Sequence, residues 1–390
     1  MSDGGLLHLP SELHELILHQ KGLQGSDLYA LSRTCKTFKQ LAEYRLYTRP
    51  AIPHAHHVLT WSRTMLEYPE RGSRVYSLAF TPSEHVLLSA GEDLRTIQAA
   101  VALCTNLVEL HLVPEEDRGP LSYSFNNLFG RLDVVTFKHL KVFTNTYFSF
   151  RDVALDFAPS ITTLFLSPYQ WQGILAWGSY LPGLQTISMP METFRVLARS
   201  PTTRGIAHAE LFIGNGSNWN WSAVDGRGEM QHFAKTLKSL RLVRLDPKMY
   251  PFWAMHLVTI TRTVPDLKHL EVLDLTIARE HSPRIFIDRR LNYENKHPNS
   301  LETLVIKPCQ LELIHRQTGV PVGSASPFSY YEFETESSRV SAIIRLKPFF
   351  PALKTMVFKL DAIYHYSIKE GDRVIGKVLK EFDDQAWMKA

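Results

Sequence analysis

An α/β fold is what this sequence predicts: a small N-terminal helical module, then a right-handed solenoid whose parallel sheet is laid down one short strand at a time. Three observations carry that expectation. The opening stretch places apolar residues at helical spacing and is closed by Pro50 and Pro53. Beyond it, to about residue 360, the pattern apolar-x-x-apolar-x-apolar recurs ten times. The chain has 390 residues, 44% hydrophobic and 21% charged, which is more than one small core needs and too apolar for a disordered chain.

The helical module comes first, over residues 7–48. Leu9 precedes Pro10, and a residue before proline is driven to an extended shape. Pro10 then suits the first helical turn, where its missing N–H costs nothing. Leu13, Leu16 and Ile17 follow at i, i+3, i+4 and make one apolar face. Gly22 and Gly25 interrupt, and Ser26 and Asp27 can cap a second helix. Leu28, Leu31, Cys35, Phe38 and Leu41 keep the helical period, with a break near Thr34, and Leu46 and Tyr47 close the unit. A unit of this size cannot easily bury enough surface to stand alone. From pattern alone it either docks a partner or packs as a cap on the rest of the chain.

Leu9-Pro10, Glu12, the Leu13/Leu16/Ile17 face, Asp27-Leu28, Cys35-Lys36 and Phe38 stand in the order and spacing of the F-box, and this stretch resembles that family. Two details depart from it: the family often has Trp where Phe38 stands, and Gln20 to Gly25 is richer in glycine than the usual link. The resemblance implies a three-helix module docking on the Skp-type adaptor of a cullin–RING (SCF-type) ubiquitin ligase. It puts Leu9, Pro10, Leu13, Ile17, Leu28, Leu31, Cys35 and Phe38 on the adaptor side, with some of them also holding the module together.

Residues 49–72 read as a linker. His54, His56 and His57 are close in sequence, but no Cys, Asp or Glu nearby completes a four-ligand metal site, so they read as solvated.

The repeats occupy 73–365. Their middle residues are Leu78, Leu110, Phe143, Leu164, Ile187, Leu211, Leu240, Leu273, Leu304 and Met356, separated by steps of 32, 33, 21, 23, 24, 29, 33, 31 and 52. The last step leaves room for a degenerate repeat or an insertion around 319–338. The terminal apolar-x-apolar of each pattern is a strand with one buried face. One such strand cannot stand alone, but a parallel stack shares a continuous core. Asp93 to Cys104 and Phe252 to Arg262 read as connecting helices, and a strand–helix–parallel strand unit turns right-handed. The steps lie near or slightly above the roughly 20 to 29 residues of leucine-rich repeats. This part resembles such repeats in the irregular form found behind F-boxes in fungal F-box-like proteins. Residues 366–390 read as a helical cap or tail.

Between the last two apolar positions of each repeat lies a residue pointing away from the core. In order these are Ala79, His111, Thr144, Phe165, Ser188, Phe212, Arg241, Asp274, Val305 and Val357. Phe165 and Phe212 have no obvious reason to face water. Four of the seven tryptophans fall within 171–221, where an even spread would put about one. Phe165, Tyr169, Trp171, Phe212, Trp219 and Trp221 are therefore candidates for holding a target protein or peptide. The other reading of these aromatics is a second core layer between long loops.

Chemistry is not expected. The sequence has no Walker-type loop, no H-E-x-x-H and no G-x-S-x-G. Gly214-Asn215-Gly216 and Gly226-Arg227-Gly228 suit turns, and Glu115-Glu116-Asp117 reads as an acidic turn. No catalytic, cofactor or metal residue is assigned. Lys plus Arg total 43 against 39 for Asp plus Glu, a net charge of +4 that gives no basic stripe for nucleic acid. Cys35, Cys104 and Cys309 are far apart and odd in number, which fits a reducing compartment. With no basic-then-apolar start and no long apolar run, no membrane partner is expected and the location reads as cytoplasmic or nuclear. The expected function is a non-enzymatic substrate receptor, with the F-box on the adaptor and the repeats on a target. The alternative is a repeat scaffold with a degenerate F-box and no ligase role.

Overall fold

Short apolar alternations separated by turns pair best with their neighbours in sequence, and the strands here do so. A computed structural model describes residues 11–18, 25–52, 54–80, 92–112, 137–146, 159–166, 181–198, 205–213, 229–244, 254–274, 297–307, 333, 335–360, 362–369, 371 and 373–389. The chain divides into two units, residues 1–161 and 162–390.

The first unit opens with helices α1 (Ser11–Leu18), α2 (Gly25–Ser32) and α3 (Lys36–Thr48). The expected break falls at Arg33–Cys35. Arg33 and Thr34 donate back to the Ala30 and Leu31 carbonyls at 3.1 and 3.0 Å. Cys35 is extended and caps α3, its sulfur accepting from the Phe38 N–H at 3.5 Å. A thiol thus fills a role usually given to a hydroxyl or carboxylate. Leu18, Leu28, Phe38 and Ala42 close a core of their own, with Leu31, Cys35, Leu41 and Leu46 packed against it.

The interval expected as linker is structured. It holds β1 (Ala51–Ile52), α4 (Ala55–Glu67) and α5 (Pro69–Gly72). His54 and His57 flank and enter α4, exposed, with their rings 5.7 Å apart edge to face. Next come β2 (Ser77–Phe80), α6 (Glu92–Ala102), β3 (Glu109–Leu112) and β4 (Val142–Asn145), paired in parallel in the order β1-β2-β3-β4. The helical module runs straight into this ladder. Tyr76 N–H donates to the Thr48 carbonyl at 2.8 Å and Ala79 N–H to that of Pro50 at 3.0 Å. Arg71 joins the same seam. It donates to the Tyr47 hydroxyl at 2.9 Å, pairs with Glu43 at 3.6 Å and lies over the Tyr47 and Tyr68 rings.

The second unit carries β5 (Thr163–Leu166), β6 (Thr186–Pro190), α7 (Met191–Ala198), β7 (His208–Ile213), β8 (Ser239–Arg244), α8 (Ala254–Thr263), β9 (His269–Asp274), β10 (Thr303–Lys307), α9 (Glu336–Leu346) and β11 (Thr355–Lys359). Strands β5 to β11 pair in parallel in chain order. Residues 366–390, expected as a helical cap or tail, instead hold the end of β12 (Ile363–Ile368), all of β13 (Val374–Leu379) and a 3₁₀ turn, Ala386–Lys389. Both strands are antiparallel, and Tyr366 of β12 lays its ring over Gly376 of β13.

The repeat is most visible in the backbone. Just before each strand, one carbonyl accepts two successive N–H groups from the next repeat. Tyr76 and Val108 do so in the first unit, and Thr162, Gln185, Ala207, Lys238, Lys268 and Glu302 in the second. This spacing corrects two expected registers. In β7 the buried pattern is Ile206/Ala209/Leu211 rather than His208/Leu211/Ile213, and in β9 it is Leu267/Leu270/Val272 rather than Leu270/Leu273/Leu275. The β9 shift is odd in number, so it exchanges the two faces. Leu273 moves off the leucine core, and Glu271 takes the place expected for Asp274 in the row of Arg241.

Candidate functional site

The helical module divides its apolar residues between an inner and an outer set. Leu28 and Phe38 lie in its core, where His14 of α1 is also buried with its ring 4.9 Å from that of Phe38. Ile17, Leu31 and Cys35 are half-buried. Leu13 is exposed, and so are Leu16 at 60% and Tyr29 at 61%, which is a high exposure for large apolar side chains on helices. Of the residues expected on the adaptor side, Leu13 is thus the outward one, while Leu28 and Phe38 shape the platform from within. Leu9 and Pro10 lie outside the described residues. Leu16, Tyr29 and Tyr44 extend the exposed set. Leu16 was legible as part of the apolar face, whereas the tyrosines break no rule a sequence reader would notice.

In the second unit, strand alternation defines a face opposite the leucine core. One row across it reads Phe165, Ser188, Glu210, Arg241, Glu271, Val305 and Val357. Its middle is ionic. Arg241 lies 3.2 Å from Glu210 and 3.2 Å from Glu271, the latter pair facing as ions without hydrogen-bond alignment. Glu271 is fully buried and its other oxygen meets His269 Nε2 at 2.8 Å. Ser188 donates to Glu210 at 2.6 Å. Val305 and Val357 of this row join the neighbouring Val243 and Leu273 in a buried apolar patch, with Phe212, Ile363 and Phe382 packed on it.

Phe382 comes from the segment that follows β13, and this segment lies on that face. The Asp384 carboxylate accepts from Lys359 Nζ at 2.7 Å and lies 3.6 Å from the Arg241 guanidinium as an ion pair, while its carbonyl accepts from Arg241 at 3.1 Å. The hydrogen bond from Lys359 is the main reason the Asp384 carboxyl is held below the usual carboxylate range, with Lys359, Arg241 and Lys307 charges adding to it. Lys359 Nζ also sits 4.2 Å above the Phe382 ring. Trp387 is buried, and its backbone bonds His208, whose Nδ1 meets the Ser239 hydroxyl at 2.8 Å. Burial lowers the His208 pKa despite that bond.

Of the expected target-side residues, Phe165 is half-buried in the ionic row and Phe212 is half-buried on the apolar patch. Tyr169, Trp171, Trp219 and Trp221 lie outside the described residues. Sequence reasoning missed Glu210 and Glu271 because of the register shifts. It missed Phe382, Asp384 and Trp387 because nothing local says that a segment far along the chain returns to the sheet. Among the described residues no three His, Cys, Asp or Glu side chains are grouped to hold a metal ion. No described helix is long and apolar enough to cross a membrane. Burial pushes the Cys104 thiol up to about 12, so it carries no nucleophile.

The described residues thus comprise helices with exposed apolar side chains at the N-terminus and parallel strands whose face opposite the leucine core is part ionic and part apolar. A family model described as F-box-like matches residues 6–53, so this N-terminal stretch is an F-box-like module. None of the curated proteins matches the chain. Among solved structures it is similar to the leucine-rich repeat-containing protein LegL7 from Legionella pneumophila. The identity is 12%, the likeness covers 81% of this chain and 82% of that one, and the TM-score is 0.37.

Proposed function

We propose that the protein is a substrate receptor of a cullin–RING ubiquitin ligase, docking the Skp-type adaptor through the F-box-like module and a target protein through the strand repeats. The observation that carries this reading is the division of labour in the module. Leu18, Leu28, Phe38 and Ala42 satisfy its core, while Leu13, Leu16, Tyr29 and Tyr44 remain exposed. Large apolar residues left exposed on helices are what a hydrophobic interface needs. In this role the protein performs no chemistry. It raises the local concentration of a target near ubiquitin-transfer machinery recruited by the adaptor.

The test is titration of purified full-length protein with a Skp-type adaptor. Leu13→Glu places a charge on the exposed face without touching the core. It should weaken adaptor binding by at least tenfold, about 1.4 kcal/mol, while leaving thermal unfolding unchanged. Leu9→Ala with Pro10→Ala should weaken it as well. Undiminished binding by both variants would remove the docking assignment and leave a repeat scaffold with no ligase link.

A further inference from the structure

The face that would hold a target already holds a peptide-like segment of this chain. Residues 380–389 form no ladder with β7 to β11. They attach through three side chains within six residues, Phe382 on the apolar patch, Asp384 between Lys359 and Arg241, and Trp387 buried near β8 and β9, and through two main-chain contacts to side chains, the Asp384 carbonyl with Arg241 and the Trp387 backbone with His208. Backbone pairing builds a sheet, whereas anchors spaced along an irregular segment are how a groove reads a peptide. The floor beneath is apolar, Val243, Leu273, Val305 and Val357, and the cations around Asp384 are Arg241, Lys359 and Lys307. Glu210 and Glu271 already face Arg241, so Lys359 makes the closest ionic contact to Asp384. An apolar floor with a cationic edge selects an aromatic, a carboxylate two residues on and a second aromatic three further, as in Phe382-x-Asp384-x-x-Trp387.

We propose that the face of strands β7 to β11 is a groove for acidic, aromatic peptide segments of a partner protein, and that residues 382–387 occupy it in cis as a built-in competitor. This rests on the target-holding half of the receptor reading. It adds the chemistry of the target's recognition segment and a reason for weak capture by the resting protein. A partner segment must displace the internal one, so its apparent affinity is reduced by the fraction of time the groove is closed.

The probe is a labelled synthetic peptide of residues 379–390, followed by fluorescence anisotropy against full-length proteins. Wild type should bind it weakly. The double variant Phe382→Ala with Trp387→Ala should bind it at least about tenfold more tightly. A peptide carrying Asp384→Lys should lose binding to this variant and regain it when Lys359→Glu is added to the protein. Hydrogen exchange across β7 to β11 is read on the same samples. Absence of peptide binding with native protection would overturn the proposal. So would loss of protection in both the double variant and a gentler Asp384→Asn variant, because the segment would then be part of the fold rather than an occupant. Adaptor titration of these variants is a separate readout: its failure would count against the ligase role and not against the groove.

Discussion

Arg241 is the residue on which carboxylates from three parts of the second unit converge. Its guanidinium offers several donors in a fixed fork and meets carboxylates from β7, β9 and the segment after β13. Two charges taken out of water cost several kcal/mol each, and mutual attraction offsets that only when both partners are present. Arg241→Met leaves Glu271, fully buried, facing only His269. The expected loss is about 3 kcal/mol, read as a lower urea midpoint. A second residue-scale case is Gly72. A Cβ there would meet Leu103 Cβ at 2.6 Å and its carbonyl oxygen at 2.8 Å. Backbone must shift to admit it, so Gly72→Ala should cost roughly 1–3 kcal/mol, seen in thermal unfolding of the purified protein. Gly376 is different, since its close neighbour is the Tyr366 ring, which an added methyl would push aside.

At the scale of the element, Cys35 gives the cleanest prediction. A sulfur at 3.5 Å is a weak cap, and an oxygen acceptor is better. Cys35→Ser should raise the stability of α3 by a few tenths of a kcal/mol or leave it unchanged, and Cys35→Ala should lower it by about 0.5 kcal/mol. Amide exchange of Phe38 is the measurement. Elements like this were legible in the sequence because their signals are local. The break at Thr34, the helices over 92–102 and 254–263, and eight of the ten strand registers follow from apolar spacing. The two missed registers had local rivals: Leu211 and Ile213 outweigh Ala209, and Leu273 and Leu275 outweigh Val272. What resolves them is the carbonyl of the preceding repeat, which is a relation between strands. Strands β12 and β13 escaped for a similar reason. They pair antiparallel after seven parallel strands, and Gly376 in β13 makes sense only once Tyr366 lies over it. The site was less legible than the fold. Its ionic row depends on the corrected registers, and its covering segment depends on a long-range return.

For the whole molecule, three partly buried histidines point one way. Burial lowers the pKa of His111, His208 and His365 below the ordinary 6.5. The unfolded chain then takes up protons at a higher pH than the folded one, so stability is full above 6.5 and falls as the pH drops below it. Asp384 adds a second window. Its folded carboxyl is held below the ordinary 3.8, so its contribution is present above that value and lost as the pH falls under it. Urea midpoints should therefore be flat from pH 8 to about 7 and decline below about 6.5, with a further drop below about 4. His208→Gln should make the first decline shallower, since His111 and His365 still contribute to it, and leave the second.

The seam between the helical module and the first strands has a mechanical consequence. Because the carbonyls of Thr48 and Pro50 are already taken by amides of the β2 segment, and Arg71 bridges back to Glu43 and Tyr47, no swivel separates α3 from β2. Whatever grips the three leading helices therefore also sets the heading of the first rungs of the ladder, as a handle welded to a blade aims it. A glycine-serine spacer inserted after Arg49 would turn that handle into a tether. It would leave the grip intact and abolish the aim.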